Sequence, residues 1–272
     1  DLKQLFIGAE GTLGIVTGVT LKLHSKPVDQ VSAFVALASL EKLTPLLELA
    51  RDKAGELIDA FELCPEHLVS GVCRVRDDVR RPLEIQAEFY VLMRVSGDAS
   101  IEDRAVEFLS EAMDAGLITD GVLAQSGPQE DMLWKIRDHA IPNLLFEGDM
   151  IKQDAALPLE HVVEYISRVK QDLAARWPSA WLYSLGHVGD GNQHICVMGH
   201  DLKDRADIAS HLNQLLWSLG GTISAEHGIG QLHRAELVEQ KSADELRLMR
   251  QVKSLFDPTN MFNPNVMFLP PN

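Results

Sequence analysis

The run Gly186-His187-Val188-Gly189-Asp190-Gly191-Asn192-Gln193-His194 places an imidazole on either side of a glycine-rich turn, between the apolar segments 181–185 and 195–198. Asp190-Gly191 is a favoured pair for a two-residue hairpin loop, because both loop positions must accept positive φ. That loop predicts a register in which Gly189 opposes Asn192, Val188 opposes Gln193 and His187 opposes His194. Opposed residues share a face with Cβ atoms about 4.5–5.5 Å apart, close enough for two imidazoles to converge on one divalent ion. The candidate third ligand is Glu226 in Thr222-Ile223-Ser224-Ala225-Glu226-His227-Gly228-Ile229-Gly230, where small neighbours permit close backbone approach. Two histidines and one carboxylate with open positions form a catalytic rather than a structural metal set. Surface histidines and an ordinary loop acid are the plain alternative in a chain with ten histidines. The density of glycine around both segments favours the metal. His227, next to Glu226, is expected to point elsewhere and to act as a general base; a supporting or core histidine is its alternative.

A second constellation lies in the middle of the chain. Arg137 falls on a helical stretch and Lys152 on the extended one that follows, with Asp149 and Asp154 nearby. If both cations turn inward, Arg137 holds a carboxylate bidentately and Lys152 adds a point charge. Otherwise Arg137 makes a surface ion pair, and the mixed charges 149–154 form a solvated face.

These groups must be positioned by regular elements. Strand-like patterns fall at 2–7, 19–23, 31–37, 87–96, 121–125, 180–188 and 193–199, with helical ones at 39–54, 100–116, 128–140, 158–177, 201–219 and 242–256. Trp177-Pro178 and Asp257-Pro258 end two of the helices. Two passes through strand, helix and strand predict an α+β layer, with helices on one face of a mostly antiparallel sheet. No residue-level repeat accompanies them. The break at Lys26-Pro27 divides the chain into 1–27 and 28–272.

Composition narrows the function classes. A chain of 272 residues with 46% hydrophobic content can bury a substantial core. A net charge of −15 opposes nucleic-acid binding, so an acid-binding site needs local cations. Cys64, Cys73 and Cys196 lack the spacing of a metal or disulfide framework and are expected to be free thiols. With no long apolar run and no signal-peptide pattern, the expected location is the cytoplasm or an organelle matrix. The opening at Asp1, without Met, suggests a piece of a longer polypeptide.

Four segments taken in order, G-A-E-G-T-L-G-I-V-T (8–17), G-H-V-G-D-G-N-Q-H (186–194), S-A-E-H-G-I-G (224–230) and D-P-T-N-M-F-N-P (257–264), closely resemble the C-terminal half of FAD-linked oxidases of the vanillyl-alcohol-oxidase type. Within that family the chain looks like the D-2-hydroxyglutarate, D-lactate and glycolate dehydrogenase branch. The resemblance implies a ferredoxin-like α+β cap at 28–272 and the end of an FAD-binding domain at 1–27. It places FAD against Glu10, Gly11, Thr12, Gly14 and Ile15, approached through backbone groups, with Asn263 on another side. It makes His187, His194 and Glu226 ligands of zinc or manganese, His227 the base, and Arg137 and Lys152 the substrate-carboxylate residues. The family's glycine-rich flavin phosphate loop is not found here, so the isolated chain is expected to hold FAD weakly and to be inactive.

The departures concern the substrate. Hydroxyglutarate-type relatives carry Thr four residues after the arginine and Asn two residues after the second histidine, where this chain has Ile141 and Cys196. Losing both hydrogen-bonding groups favours a short acid such as D-lactate over D-2-hydroxyglutarate, although 226–262 reads closest to the hydroxyglutarate type. The implied reaction removes the hydroxyl proton to His227 and passes hydride to flavin, with the metal polarising the hydroxyl. A flavoprotein, quinone or other carrier, which could hold the enzyme peripherally at a membrane, then reoxidises the flavin. A homodimer is compatible with this scheme. The rival readings are a metal-binding cap without turnover, a non-enzymatic interaction subunit and a flavin-independent metal hydrolase.

Overall fold

The structure is a computed structural model describing residues 1–140, 148–199 and 202–268. The chain divides into two compact units, one of Lys26–Thr222 and one of Asp1–Ser25 with Ile223–Asn272.

In the larger unit the chain runs through β1 (Asp29–Leu37), α1 (Leu43–Ala54), β2 (Ile58–Pro65), α2 (Glu66–Val75), β3 (Phe89–Gly97), α3 (Ile101–Asp114), β4 (Ile118–Leu123) and α4 (Gly127–Asp138). It continues as β5 (Asp149–Ala156), α5 (Leu159–Arg176), β6 (Ala180–His187), β7 (Asn192–Gly199) and α6 (Arg205–Ser218). The seven strands form one sheet in the order β4-β1-β3-β2-β6-β7-β5, antiparallel at every ladder. The first four strands, with α1 and α3 as crossovers, are a ferredoxin-like pass. The second pass, β5 to α6, repeats that topology, and a bridge from Ala156 to Thr222 stands in for its fourth strand. The expected α+β, ferredoxin-like fold is therefore present twice. The passes join at β2 and β6 through only two pairs, Glu62 with His187 and Leu63 with Gly186.

Alternation divides the side chains between two faces. Val35, Gly121 and Gln153 lie on the face covered by the crossover helices: Leu109 of α3 reaches Gly121, while Tyr165 of α5 and Asn213 of α6 bond Gln153. Helices were expected on that face alone, but α2 and α4 cover the other. Their Leu68, Val72, Leu133 and Ile136 pack with Phe34, Tyr90, Leu185, Cys196 and Met198. Burying Leu133 and Ile136 is worth about 1.5–3 kcal/mol each, which pins α4 and carries its neighbouring Arg137 to the sheet. Strand β2 and helix α2 were not foreseen, because Asp59 and Glu62 interrupt the apolar pattern of 57–64.

In the smaller unit, Leu2–Leu5 forms a 3-10 turn capped by Asp1, not the expected strand. Residues 15–25 contain no strand either, and Val16, Val19, Leu21 and Leu23 are exposed. A strand exists only against a neighbour, and none of the described strands pairs with this one. The helices α7 (Arg234–Gln240) and α8 (Ala243–Phe256) follow, the second opened by a capping box between Ser242 and Glu245. Lys253 on α8 is buried, donates to the carbonyls of Thr12 at 2.7 Å and Phe262 at 2.8 Å, and pairs with Asp257. Phe6 meets Phe256 edge to face. Residues 223–268 thus group with 1–25, whereas the sequence division had assigned them to the cap.

Candidate active site

The β6–β7 hairpin turns through four residues rather than two. Val188–Asp190 form a 3-10 turn, Gly191 takes the left-handed conformation at φ 80°, and its N–H donates to the Val188 carbonyl at 3.1 Å. Val188, the first residue of that turn, is buried. The register consequently shifts, so that Leu185 rather than His187 opposes His194. A one-residue slip would have sent one histidine to the other face; a two-residue slip preserves parity. His187 and His194 remain diagonal neighbours on the same face, with ring centroids 5.5 Å apart and planes at 83°.

Each imidazole faces a carboxylate from an adjoining strand. His187 Nδ1 lies 2.5 Å from Glu62 Oε1, and His194 Nδ1 lies 3.3 Å from Asp154 Oδ1. Glu62 is almost wholly buried, and its other oxygen accepts from Arg137 Nε at 2.7 Å. Burial opposes ionisation of Glu62, yet hydrogen bonds from His187 and Arg137 outweigh it and hold the carboxyl below its ordinary range. Arg137 Nη2 also reaches His187 Nε2 at 3.1 Å. Arg137 therefore makes an ion pair, as its plainer reading held, but within the site and not at the surface. Asp154, which the plainer reading put on a solvated face, is buried opposite His194. Glu62 was missed; a single carboxylate inside the apolar run Ala60-Phe61-Glu62-Leu63-Cys64 was its signal, since a buried charge needs a built partner.

Lys152 lies on the same sheet face, exposed, in register with Cys196. Cys196 is fully buried in the apolar cluster, and burial pushes its thiol up to about 11, so it is neutral at physiological pH. Cys64 and Cys73 are likewise free. Ile141 lies outside the described residues.

The remaining expected site residues belong to the smaller unit. Glu226 and His227 do share a direction, contrary to expectation: His227 Nε2 is 3.4 Å from Glu226 Oε1, both side chains about half exposed. Their segment is held by Glu10, whose carboxylate accepts from the N–H groups of Ile229 and Gly230, each at 2.7 Å. Gly228 has φ 77°, and a Cβ there would stand 2.9 Å from the Glu10 carboxyl. Glu10 and Gly11 have positive φ, Thr12 donates to Ala9 O at 2.7 Å, and Ile15 is exposed. Asn263 donates to Glu10 O at 2.6 Å, so the two ends of the expected flavin-contacting set are in contact. Among the described residues no helix is long and apolar enough to cross a membrane.

Residues 26–267 match a family described as FAD linked oxidases, C-terminal domain. The chain is 33% identical over 268 residues to the mitochondrial D-2-hydroxyglutarate dehydrogenase of Arabidopsis thaliana, covering 97% of this chain and 47% of that protein. It is 34% identical to the mitochondrial D-2-hydroxyglutarate dehydrogenase of Bos taurus, covering 98% of this chain and 49% of that one. The chain thus spans about half the length of these relatives. A crystal structure of p-cresol methylhydroxylase with substrate bound shares the fold, with TM-score 0.64 at 10% identity over 89% of this chain and 53% of that one.

Proposed function

Because the chain belongs to the family of FAD linked oxidases, C-terminal domain, we propose that it forms the substrate-side half of a flavin-dependent dehydrogenase converting a D-2-hydroxy acid to the 2-oxo acid. The observation that carries this reading is the shared sheet face on which His187, bonded to Glu62 and reached by Arg137, neighbours His194, whose Nδ1 lies 3.3 Å from Asp154.

The donor chemistry fits a divalent ion: imidazole suits zinc and other transition ions, and metal-binding histidines characteristically pass their second ring nitrogen to a carboxylate. The proposed ligands are His187, His194 and Glu226, and zinc or manganese held there would supply Lewis-acid polarisation of the substrate hydroxyl. His227 takes the hydroxyl proton as general base. Arg137 and Lys152 hold a substrate carboxylate, which the net charge of −15 would otherwise repel. The turn at Glu10–Gly14 fits a cofactor approached through backbone groups, because the Glu10 side chain is committed to Ile229 and Gly230. FAD, held there by Gly11, Thr12, Gly14, Ile15 and Asn263 and by a flavin-binding half, would supply the hydride acceptor. A flavoprotein, quinone or other carrier completes the turnover, in the cytoplasm or an organelle matrix.

For the substrate, the names of the relatives favour D-2-hydroxyglutarate. The second reading, a short acid such as D-lactate, is supported by Cys196, whose buried neutral thiol is a weak hydrogen-bonding group where hydroxyglutarate-type relatives carry an amide. The test is kcat/KM for both acids with an artificial electron acceptor, in the enzyme joining this chain to its flavin-binding half. A preference of tenfold, about 1.4 kcal/mol, for D-2-hydroxyglutarate is expected. The reverse preference would select the short acid, and turnover of neither would contradict the dehydrogenase.

A further inference from the structure

We infer that Glu62 is a positioning residue that sets the tautomer of His187 and, through the same carboxylate, aims Arg137. The inference rests on the proposed roles of His187 as ligand and Arg137 as carboxylate holder.

The geometry fixes the proton. A guanidinium has five donors and no acceptor, so His187 Nε2, 3.1 Å from Arg137 Nη2, must be the accepting nitrogen of the ring. The ring proton of neutral His187 therefore sits on Nδ1 and is donated to Glu62 Oε1 at 2.5 Å. In that tautomer Nε2 carries the ring's one in-plane lone pair; the Arg137 N–H occupies it here, so Nε2 coordinates a cation only when Arg137 Nη2 moves off it. The second oxygen of Glu62 simultaneously fixes Arg137 through Nε. One buried carboxylate, at one of the two residue pairs joining the ferredoxin-like passes, thus orients a metal-binding group and an anion-binding group together.

An isosteric amide cannot replace it. With Gln at position 62, directing the amide oxygen at Arg137 Nε turns the NH2 toward His187 Nδ1. That nitrogen must then accept, and the proton moves to Nε2, where it opposes Arg137 Nη2 and removes the coordinating lone pair. Flipping the amide sets NH2 against the guanidinium instead. Either arrangement breaks one of the two links while preserving side-chain volume, which separates positioning from packing.

The experiment follows the ring nitrogens of His187 by long-range 1H–15N NMR and measures zinc affinity by calorimetry, for the chain as it stands and for Glu62→Gln and Glu62→Asp. The Nδ1–H tautomer is expected in the unaltered chain and in Glu62→Asp, which keeps the charge. In Glu62→Gln the Nε2–H form should dominate, with zinc affinity reduced tenfold or more, in the range usual for loss of a ligand's hydrogen-bond partner. The same tautomer in all three chains, with unchanged zinc affinity, would overturn the inference. The expected tautomer change with no zinc bound by any of them would uphold Glu62 as the positioning residue and overturn the metal reading of the site.

Discussion

The rings of His187 and His194 stand almost perpendicular, their centroids 5.5 Å apart, at the closed end of the β6–β7 hairpin. The turn that joins their strands packs closely on the chain entering α5. Gly191 has φ 80°, and a Cβ on it would fall 2.1 Å from the Leu157 carbonyl oxygen. Gly191→Ala must therefore displace the turn or the chain entering α5. A loss of about 2 kcal/mol or more is expected from the left-handed backbone and the clash together. Urea denaturation checks the loss, and the ring resonances of both histidines should shift. An unchanged midpoint and spectrum would show that the turn does not constrain the pair.

Glu10 holds the segment that carries Glu226 and His227. Hydrogen bonds to a charged partner contribute about 1.5–3 kcal/mol each, and Glu10 accepts two from Ile229 and Gly230. Glu10→Ala should release both amides to faster hydrogen exchange and lower stability by about 3 kcal/mol or more, while amides of the larger sheet, such as those of Val91 and Ile195, keep their protection. Protection retained at Ile229 and Gly230 would contradict the clamp.

Asp257 makes stability depend on acid. Burial opposes its charge, but the hydrogen bonds from Lys253 and the amides of Met261 and Phe262 hold the carboxyl at about 2. An unfolded aspartate titrates near 3.9. A depressed folded value contributes stability above the unfolded value, and this is lost as pH falls toward the folded one. Unfolding midpoints should thus decline between about pH 4 and pH 2 in part through Asp257. Asp257→Asn should be less stable at pH 7 and lose less on acidification; identical pH profiles would remove Asp257 as the cause.

Arg137 is held by geometry that lysine does not share. Arg137→Lys retains the charge but gives up the planar fork that bonds Glu62 and reaches His187 together. In the complete enzyme KM for the 2-hydroxy acid should rise tenfold or more, with a smaller change in kcat. An unaltered KM would place the substrate carboxylate elsewhere.

Much of this was legible in the sequence, for identifiable reasons. Strands with clean apolar patterns, such as 31–37 and 193–199, and helices bounded by proline, such as 158–177, lie close to where periodicity places them. The hairpin loop departs from its local pattern: Asp190-Gly191 suits a two-residue turn, but the chain makes a 3-10 turn over Val188–Asp190, with Val188 buried and Gly191 in the left-handed conformation. His187 and His194 kept their common face only because the error was an even number of residues. The sequence marks Glu62 only as a carboxylate in an apolar run and does not mark Asp154, and it names the partner of neither, since those partners are distant in the chain: Glu62 meets His187, 125 residues away. The strand expected at 19–23 failed for the converse reason, a suitable local pattern without a described strand to pair with.

Elemental analysis of the zinc- or manganese-loaded chain after gel filtration tests most directly whether His187 and His194 bind a divalent ion. About one ion per chain is predicted, lost largely in both His187→Ala and His194→Ala, with the fold intact by circular dichroism. Unchanged metal content in both variants would contradict it.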